Sequence, residues 1–269
     1  MVCKRRGDVT NMATTKRGMI PVQGIAFDLE GTVINVEPLH YKAHLRAAAD
    51  VRVNLTLQDA LKLLPHFVGG PDEAVAAEIA SLAGGSVSAS EVLLAKRFYF
   101  KKLLGNHDGI LPRDGFNDFI NWVRTLELRI AIGTTSYRDL AIDLLKRAGL
   151  LQTFGDDVVV TRDDVPLPKP SPDIYFETAR RLGITPKSQL VFEDSVVGLC
   201  AARSAECRLA ALPTIKLPEF VQDLHLEGAE AIFMTWCEPG IRPFVLSLIS
   251  TKPVLHSDPL TNRSACANI

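Results

Sequence analysis

Apolar residues along the chain fall into two alternating patterns. Short runs at Gly24–Asp28, Ile130–Thr134, Asp157–Thr161, Gln189–Glu193, Arg208–Leu212 and Ala231–Met234 are nearly continuous in apolar side chains, and most end on a polar residue. That pattern predicts short buried strands. Between them the period lengthens. Leu140, Ala141, Leu144, Leu145 and Ala148 share one helical face, with Gly149 where a helix should stop. Ile174–Leu182 repeats the pattern, with Pro172 near its start and Gly183 at its end. Strand–helix alternation predicts an α/β fold: a doubly wound, Rossmann-like parallel sheet with helices on both faces. In such sheets ligands bind at the carboxyl ends of the strands.

One segment breaks the alternation. Residues 37–109 read as helices without strands, at His40–Ala49, Leu57–Leu64, Asp72–Leu82 and Ser90–Leu104, punctuated by Gly69-Gly70 and Gly84-Gly85. The simplest organisation is an α-helical cap inserted after the first strand, with the α/β core formed by 20–36 and 110–250. Residues 1–19, with five basic side chains against Asp8, read as a disordered extension, and 251–269 as a disordered tail. The basic cluster Lys96, Arg97, Lys101 and Lys102 reads as a solvated helix face, with a substrate-facing role for one member as the alternative.

Composition narrows the class. With a formal net charge of −1 in 269 residues, nothing calls for nucleic acid or an anionic membrane. No apolar run approaches the roughly 20 residues of a membrane span. The five cysteines are scattered without a CxxC pair, which points away from a zinc site and toward a reducing compartment. A cytoplasmic protein is expected, with organelle targeting by residues 1–19 left open. The expected assembly is a monomer or weak homodimer.

The chemistry stands at the predicted strand ends. Asp28 and Glu30 follow the first strand in FDLEGT, Thr134 ends the second, Lys169 lies in LPKPSPDIY, and Glu193-Asp194 end the fourth in VFEDS. Several carboxylates in one crevice repel one another unless a cation joins them, and oxygen-only ligands favour a hard ion such as Mg²⁺. With Lys169 and the Thr134 hydroxyl beside it, such an ion could hold a phosphate for attack by a carboxylate. The bland readings are a turn-capping Asp28, a loop lysine, a strand-end threonine and a helix-capping acidic pair.

FDLEGTVINVEPLH, AIGTTS, PKPSPDIY and EDSVVG, in that order, resemble the four motifs of the haloacid dehalogenase-like superfamily. The likeness is to its branch with a helical cap, which includes the beta-phosphoglucomutase-like phosphatases. The resemblance covers roughly residues 22–213. It implies a Mg²⁺-dependent phosphatase acting on a small phosphorylated metabolite, with Asp28 as a nucleophile that becomes an aspartyl-phosphate. Glu30 would be the general acid/base. Thr134 and Lys169 would hold the phosphoryl group, with Thr135, Ser136 and His40 near the substrate. Asp28, Glu30 through its main-chain oxygen, Glu193 and Asp194 would surround the metal. His40 is otherwise a packed or solvated helix residue. The alternatives are a phosphomutase and a catalytically weak or inactive binding protein with this fold.

Some positions depart from the resemblance. Most relatives carry Asp where Glu30 stands, although one phosphatase branch resembles DxEGT there. The glycine-paired cap loop places Asp72 where the mutases carry arginine, and an acid repels a second phosphate. Phe98 stands at the place of their cap lysine, which weakens the mutase reading. HFVGGPDEAV lacks the Schiff-base lysine of the phosphonate-cleaving members, and the acidic pair Glu193-Asp194 argues against a dehalogenase. Asn35 and Val36 replace the usual acidic and hydroxyl residues of the hinge.

Overall fold

The structure, a computed structural model, describes residues 20–106 and 109–249. The expectations for 1–19 and 251–269 fall outside those residues. A single sheet of six parallel strands, ordered β3-β2-β1-β4-β5-β6, runs through the core. Its strands are β1 (Gly24–Phe27), β2 (Arg129–Gly133), β3 (Val159–Val160), β4 (Gln189–Glu193), β5 (Arg208–Ala211) and β6 (Ala231–Ile232). The order reverses at β1, so the switch-point crevice opens at the carboxyl ends of β1 and its neighbour β4.

Pleating assigns alternate residues to two apolar layers. Ile25, Phe27, Ile132, Leu190 and Phe192 face α5 (Phe116–Thr125), α6 (Arg138–Arg147) and α11 (Ile241–Ile249). Ala26, Val160, Val191, Leu209 and Ala211 face α8 (Asp173–Leu182), α9 (Val196–Ser204) and α10 (Pro218–Leu226). In the first layer Phe27 stacks on Phe192 with centroids 5.7 Å apart, and Trp236 lies 4.7 Å from Phe119 and 5.0 Å from Phe192. The indole N–H of Trp236 donates to the Thr32 carbonyl at 3.0 Å, which ties this aromatic cluster to the loop after β1.

Between β1 and α5 stand four helices, α1 (Glu37–Asp50), α2 (Leu57–Leu63), α3 (Asp72–Leu82) and α4 (Ala89–Gly105). They form a third apolar cluster around Ala47, Leu64, Phe67, Ile79 and Val92. Thr56 with Asp59, and Ser88 with Glu91, build reciprocal capping boxes that start α2 and α4. The insertion sits down on the sheet domain through Phe220 and Ile215, and through Gly69 against Ser195.

The remaining elements are α7 (Leu151–Phe154) and short 3₁₀ turns. Two strands are shorter than their apolar runs suggest. At β3, Gly155 with φ +79° turns Asp156–Val158 into a 3₁₀ helix, so pairing starts only at Val159. The sheet-edge strand β6 keeps two residues, and Phe233 adds one further backbone bond to Ala211. The predicted stops at Gly149 and Gly183 carry positive φ, as helix-ending glycines do.

Candidate active site

The register of β1 against β4 decides who meets whom. Phe27 pairs with Phe192, and the Asp28 N–H donates to the Phe192 carbonyl at 3.0 Å. Asp28 and Glu193 therefore emerge side by side, on the pleat face that looks toward α8. From the loop ahead of α8, Lys169 places its ammonium between them, 2.6 Å from Asp28 Oδ1 and 2.6 Å from Glu193 Oε1. The Tyr175 hydroxyl donates to the same Glu193 oxygen. All of these groups are buried.

Asp194 follows on the same strand end. One oxygen each from Asp28, Glu193 and Asp194 lies within 4.8 Å of the others. With all three carboxylates ionised, one ammonium would leave two negative charges in a buried space. Burial accordingly pushes Asp28 up to about 8, Lys169 opposing and Glu193 adding. Asp194 is raised well above the usual carboxylate range, first by burial and then by Glu37, Asp28 and Glu193. Asp28 Oδ2 is buried without a hydrogen-bond partner among the described residues. A hard divalent cation fits this site: the donors are oxygens, one is orphaned, and the surplus charge matches. Gly198 belongs to the same construction, because a Cβ there would overlap the Glu193 carboxylate.

Glu30 approaches from the other side. Its backbone bridges to Ile34, so the chain folds back tightly after β1, and Arg113 clamps the Gly31 carbonyl at 2.6 Å. The Ser136 hydroxyl donates to Glu30 Oε2, and His40 Nε2 lies 3.3 Å from Oε1. Lys96 Nζ donates to His40 Nδ1 at 2.9 Å. An ammonium has no lone pair, so Nδ1 accepts and Nε2 carries the proton toward Glu30. Burial raises the proton affinity of Glu30, but His40, Ser136 and Lys96 together outweigh it and hold the carboxyl below its ordinary range.

Behind His40 the polar chain continues. Lys96 pairs with Asp72 Oδ2, and Asp72 Oδ1 lies 3.2 Å from His44 Nε2. Burial pushes His44 down to about 4, so it is a neutral imidazole at pH 7. The His40 ring packs on Phe100 with centroids 3.9 Å apart. A cavity of about 1390 Å³ joins both sides, with Asp28, Thr134, Lys169 and Asp194 on the sheet side and His40, His44, Asp72 and Lys96 on the helical side.

The family model described as haloacid dehalogenase-like hydrolase matches residues 22–206. The chain belongs to the haloacid dehalogenase-like hydrolases. Similar proteins point to their phosphatase branch, whose members hydrolyse phosphoric monoesters. A phosphorylated carbohydrates phosphatase of Thermotoga maritima is 30% identical over 187 residues, 68% of this chain and 82% of that protein. A validoxylamine A 7′-phosphate phosphatase of Streptomyces hygroscopicus subsp. limoneus is 31% identical over 218 residues, 81% of this chain and 97% of that one. The crystal structure of a HAD hydrolase, family IA, variant 3, from Entamoeba histolytica shares the fold. Its TM-score is 0.71 at 22% identity, covering 85% of this chain and 99% of that one.

In this hydrolase most residues singled out from the sequence converge on one cavity, and the solvated-face expectation changes at one position. Thr134 is buried at the cavity, with its Oγ1 accepting from the Ser136 N–H at 3.1 Å, and Thr135 lines the same wall. Ser136, expected near substrate, gives its hydroxyl to Glu30. His40 is neither simply packed nor solvated, since it joins Glu30 to Lys96. The solvated-face reading holds for Arg97, Lys101 and Lys102 but fails for Lys96, which is 1% exposed. Phe98 is 63% exposed and turned outward, so the lysine that α4 presents to the site is Lys96. A signal was available: Val92, Lys96, Phe100 and Leu104 form the buried stripe of α4, four residues apart, and Lys96 is the polar member. Glu37 is a buried acid given no role by the sequence reading, pushed up to about 7 by burial despite His40. Among the described residues no helix is long and apolar enough to cross a membrane.

Proposed function

We propose that this hydrolase is a Mg²⁺-dependent phosphatase of small phosphorylated metabolites, of the sugar-phosphate kind, working through a phosphoaspartate at Asp28. The observation that carries the reading is the buried carboxylate cluster with its surplus negative charge and the orphaned Asp28 Oδ2. Residues 37–109 act in this reading as a cap over the site. The similarity to phosphatases of phosphorylated carbohydrates and of a 7′-phosphate supports the substrate class.

The residues divide the work as follows. Asp28, Asp194 and the Glu30 carbonyl hold the ion, with Glu193 beside them. Bound there, Mg²⁺ supplies positive charge that keeps Asp28 ionised and orients the phosphate. Lys169 neutralises phosphoryl oxygens, and Thr134 with nearby backbone N–H groups binds the others. Asp28 attacks phosphorus, the ester bond breaks, and the leaving oxygen takes a proton from Glu30. Water then attacks the phosphoaspartate and gives its proton to Glu30, releasing phosphate and regenerating Asp28. For the acid step the Glu30 carboxyl has to leave Ser136 and His40, and its proton affinity rises as it does so.

The test is phosphate release from para-nitrophenyl phosphate and a panel of sugar phosphates, with Mg²⁺ and with EDTA. Release that needs Mg²⁺ and disappears in Asp28→Asn supports the reading. Binding of Mg²⁺ and phosphate without turnover of any ester would replace it with a binding protein. A phosphomutase is the second reading, favoured by the inward Lys96, and isomer interconversion without phosphate release would establish it.

A further inference from the structure

The helical wall of the cavity, opposite Asp28, carries its own charge arrangement. We infer that Asp72, held by Lys96 and His44, is a specificity-determining residue: the site takes phosphate monoesters whose far end is uncharged and hydroxyl-bearing, and it turns away esters with a second phosphate. The inference rests on the phosphatase reading and adds the class of substrate.

Lys96 is the buried cation of this wall, and Asp72 already neutralises it. His44 on the other Asp72 oxygen is buried and adds no charge. At the mouth, Arg97 is matched by Glu73 at 3.0 Å. Lys96 and Arg97 thus each have their own anion. A second phosphate would have to displace Asp72 from Lys96 and would then lie against that carboxylate, like charge beside like charge, an unfavourable exchange. Asp72 is also firmly seated, since it opens α3, where a helix N-terminus favours an acid.

Hydroxyls meet a different surface. Lys96 has three N–H donors, of which Asp72 and His40 take two. The Asp72 side chain keeps 30% of its surface exposed and can accept from a hydroxyl. A polyol can therefore both accept from and donate to this wall without unpairing a charge. Lys101 and Lys146 line the cavity but are exposed to water, where attraction for an anion is screened, and the exposed acids Asp139 and Asp143 line it too.

The experiment compares kcat/KM for fructose 1-phosphate and fructose 1,6-bisphosphate in the wild type, Asp72→Asn and Asp72→Glu. The wild type should favour the monophosphate by about tenfold or more, equivalent to about 1.4 kcal/mol. Asp72→Asn, which keeps the shape and removes the charge, should shift that ratio toward the bisphosphate by about tenfold. Asp72→Glu should keep the wild-type preference. Circular dichroism checks folding, and the wild-type ratio stands by itself if a variant misfolds. A wild type that hydrolyses both esters equally well, or a ratio unmoved in folded Asp72→Asn, overturns the inference and leaves the phosphatase reading intact. Failure to release phosphate from any ester, para-nitrophenyl phosphate included, overturns the phosphatase reading and the inference with it.

Discussion

Replacing Glu30 by aspartate asks whether the site is built for the longer acid. The substitution removes one methylene and draws the carboxylate back by about 1.5 Å, one C–C bond. In the structure His40 Nε2 is 3.3 Å from Glu30 Oε1. Retraction opens that contact to about 4.5 Å or more, beyond hydrogen-bond range. The Ser136 hydroxyl loses its acceptor as well. Two hydrogen bonds to a charged group disappear, and the carboxylate is no longer held where it takes the proton of the attacking water. Misplacement of about 1 Å can cost on the order of 100-fold. We expect kcat of Glu30→Asp on para-nitrophenyl phosphate to fall by about 10- to 100-fold. The Mg²⁺ concentration for half-maximal rate should change little, because in the proposed site position 30 offers the ion only a main-chain oxygen. Glu30→Gln gives a second reading of the same group. Nitrophenolate leaves without help, so stopped flow should show a burst of about one equivalent followed by slow turnover, since only the water-activating step is lost. If Glu30→Asp is as fast as the wild type or faster, the contacts to Ser136 and His40 do not serve catalysis and the reasoning is wrong.

Two further predictions follow from the geometry. A Cβ at Gly69 would overlap Ser195, and φ there is +71°. Gly69→Ala pays the left-handed backbone penalty of about 1 kcal/mol whether the four-helix insertion is seated on the sheet domain or not, but the overlap only when it is seated. We expect kcat/KM to drop by about tenfold or more while the melting temperature falls by only a few degrees; unchanged kcat/KM would show that this contact is not needed for turnover. Glu177 is held down to about 2, chiefly by its hydrogen bond to Arg180, with Arg181 adding. A depressed folded-state pKa contributes stability above the unfolded value near 4.5 that disappears as pH falls toward 2. Glu177→Gln should therefore melt below the wild type at pH 7, with the gap closing between pH 4.5 and 2. A gap that widens on acidification would contradict the assignment.

Much of the site was legible because parallel sheets concentrate chemistry at one edge. Once Gly24–Phe27 and Gln189–Glu193 read as buried strands, Asp28, Glu193 and Asp194 had to emerge together if those strands were neighbours. The helix stops at Gly149 and Gly183 were legible for a local reason, since both need positive φ. Strand ends at β3 and β6 were not, because an apolar run records burial, whereas pairing depends on what the next turn does. Lys96 reads first as part of a solvated face because charge suggests water, and its place in the i, i+4 stripe of α4 is what picks it out as the inward member. The link from Glu30 through His40 to Lys96 joins the loop after β1 to two helices of the insertion, and no single stretch of sequence contains it.

The four inserted helices pack around Phe67 and Ile79, while Asp28 and Glu193 follow directly on Phe27 and Phe192 at the ends of β1 and β4. Side chains that would sort one metabolite from another thus belong to a differently packed unit from those that would break the bond. Changes far enough apart tend to add independently. New preferences could therefore evolve by exchanging residues on α3 and α4 outside the Asp72–Lys96–His40–Glu30 link, with the bond-breaking apparatus inherited intact.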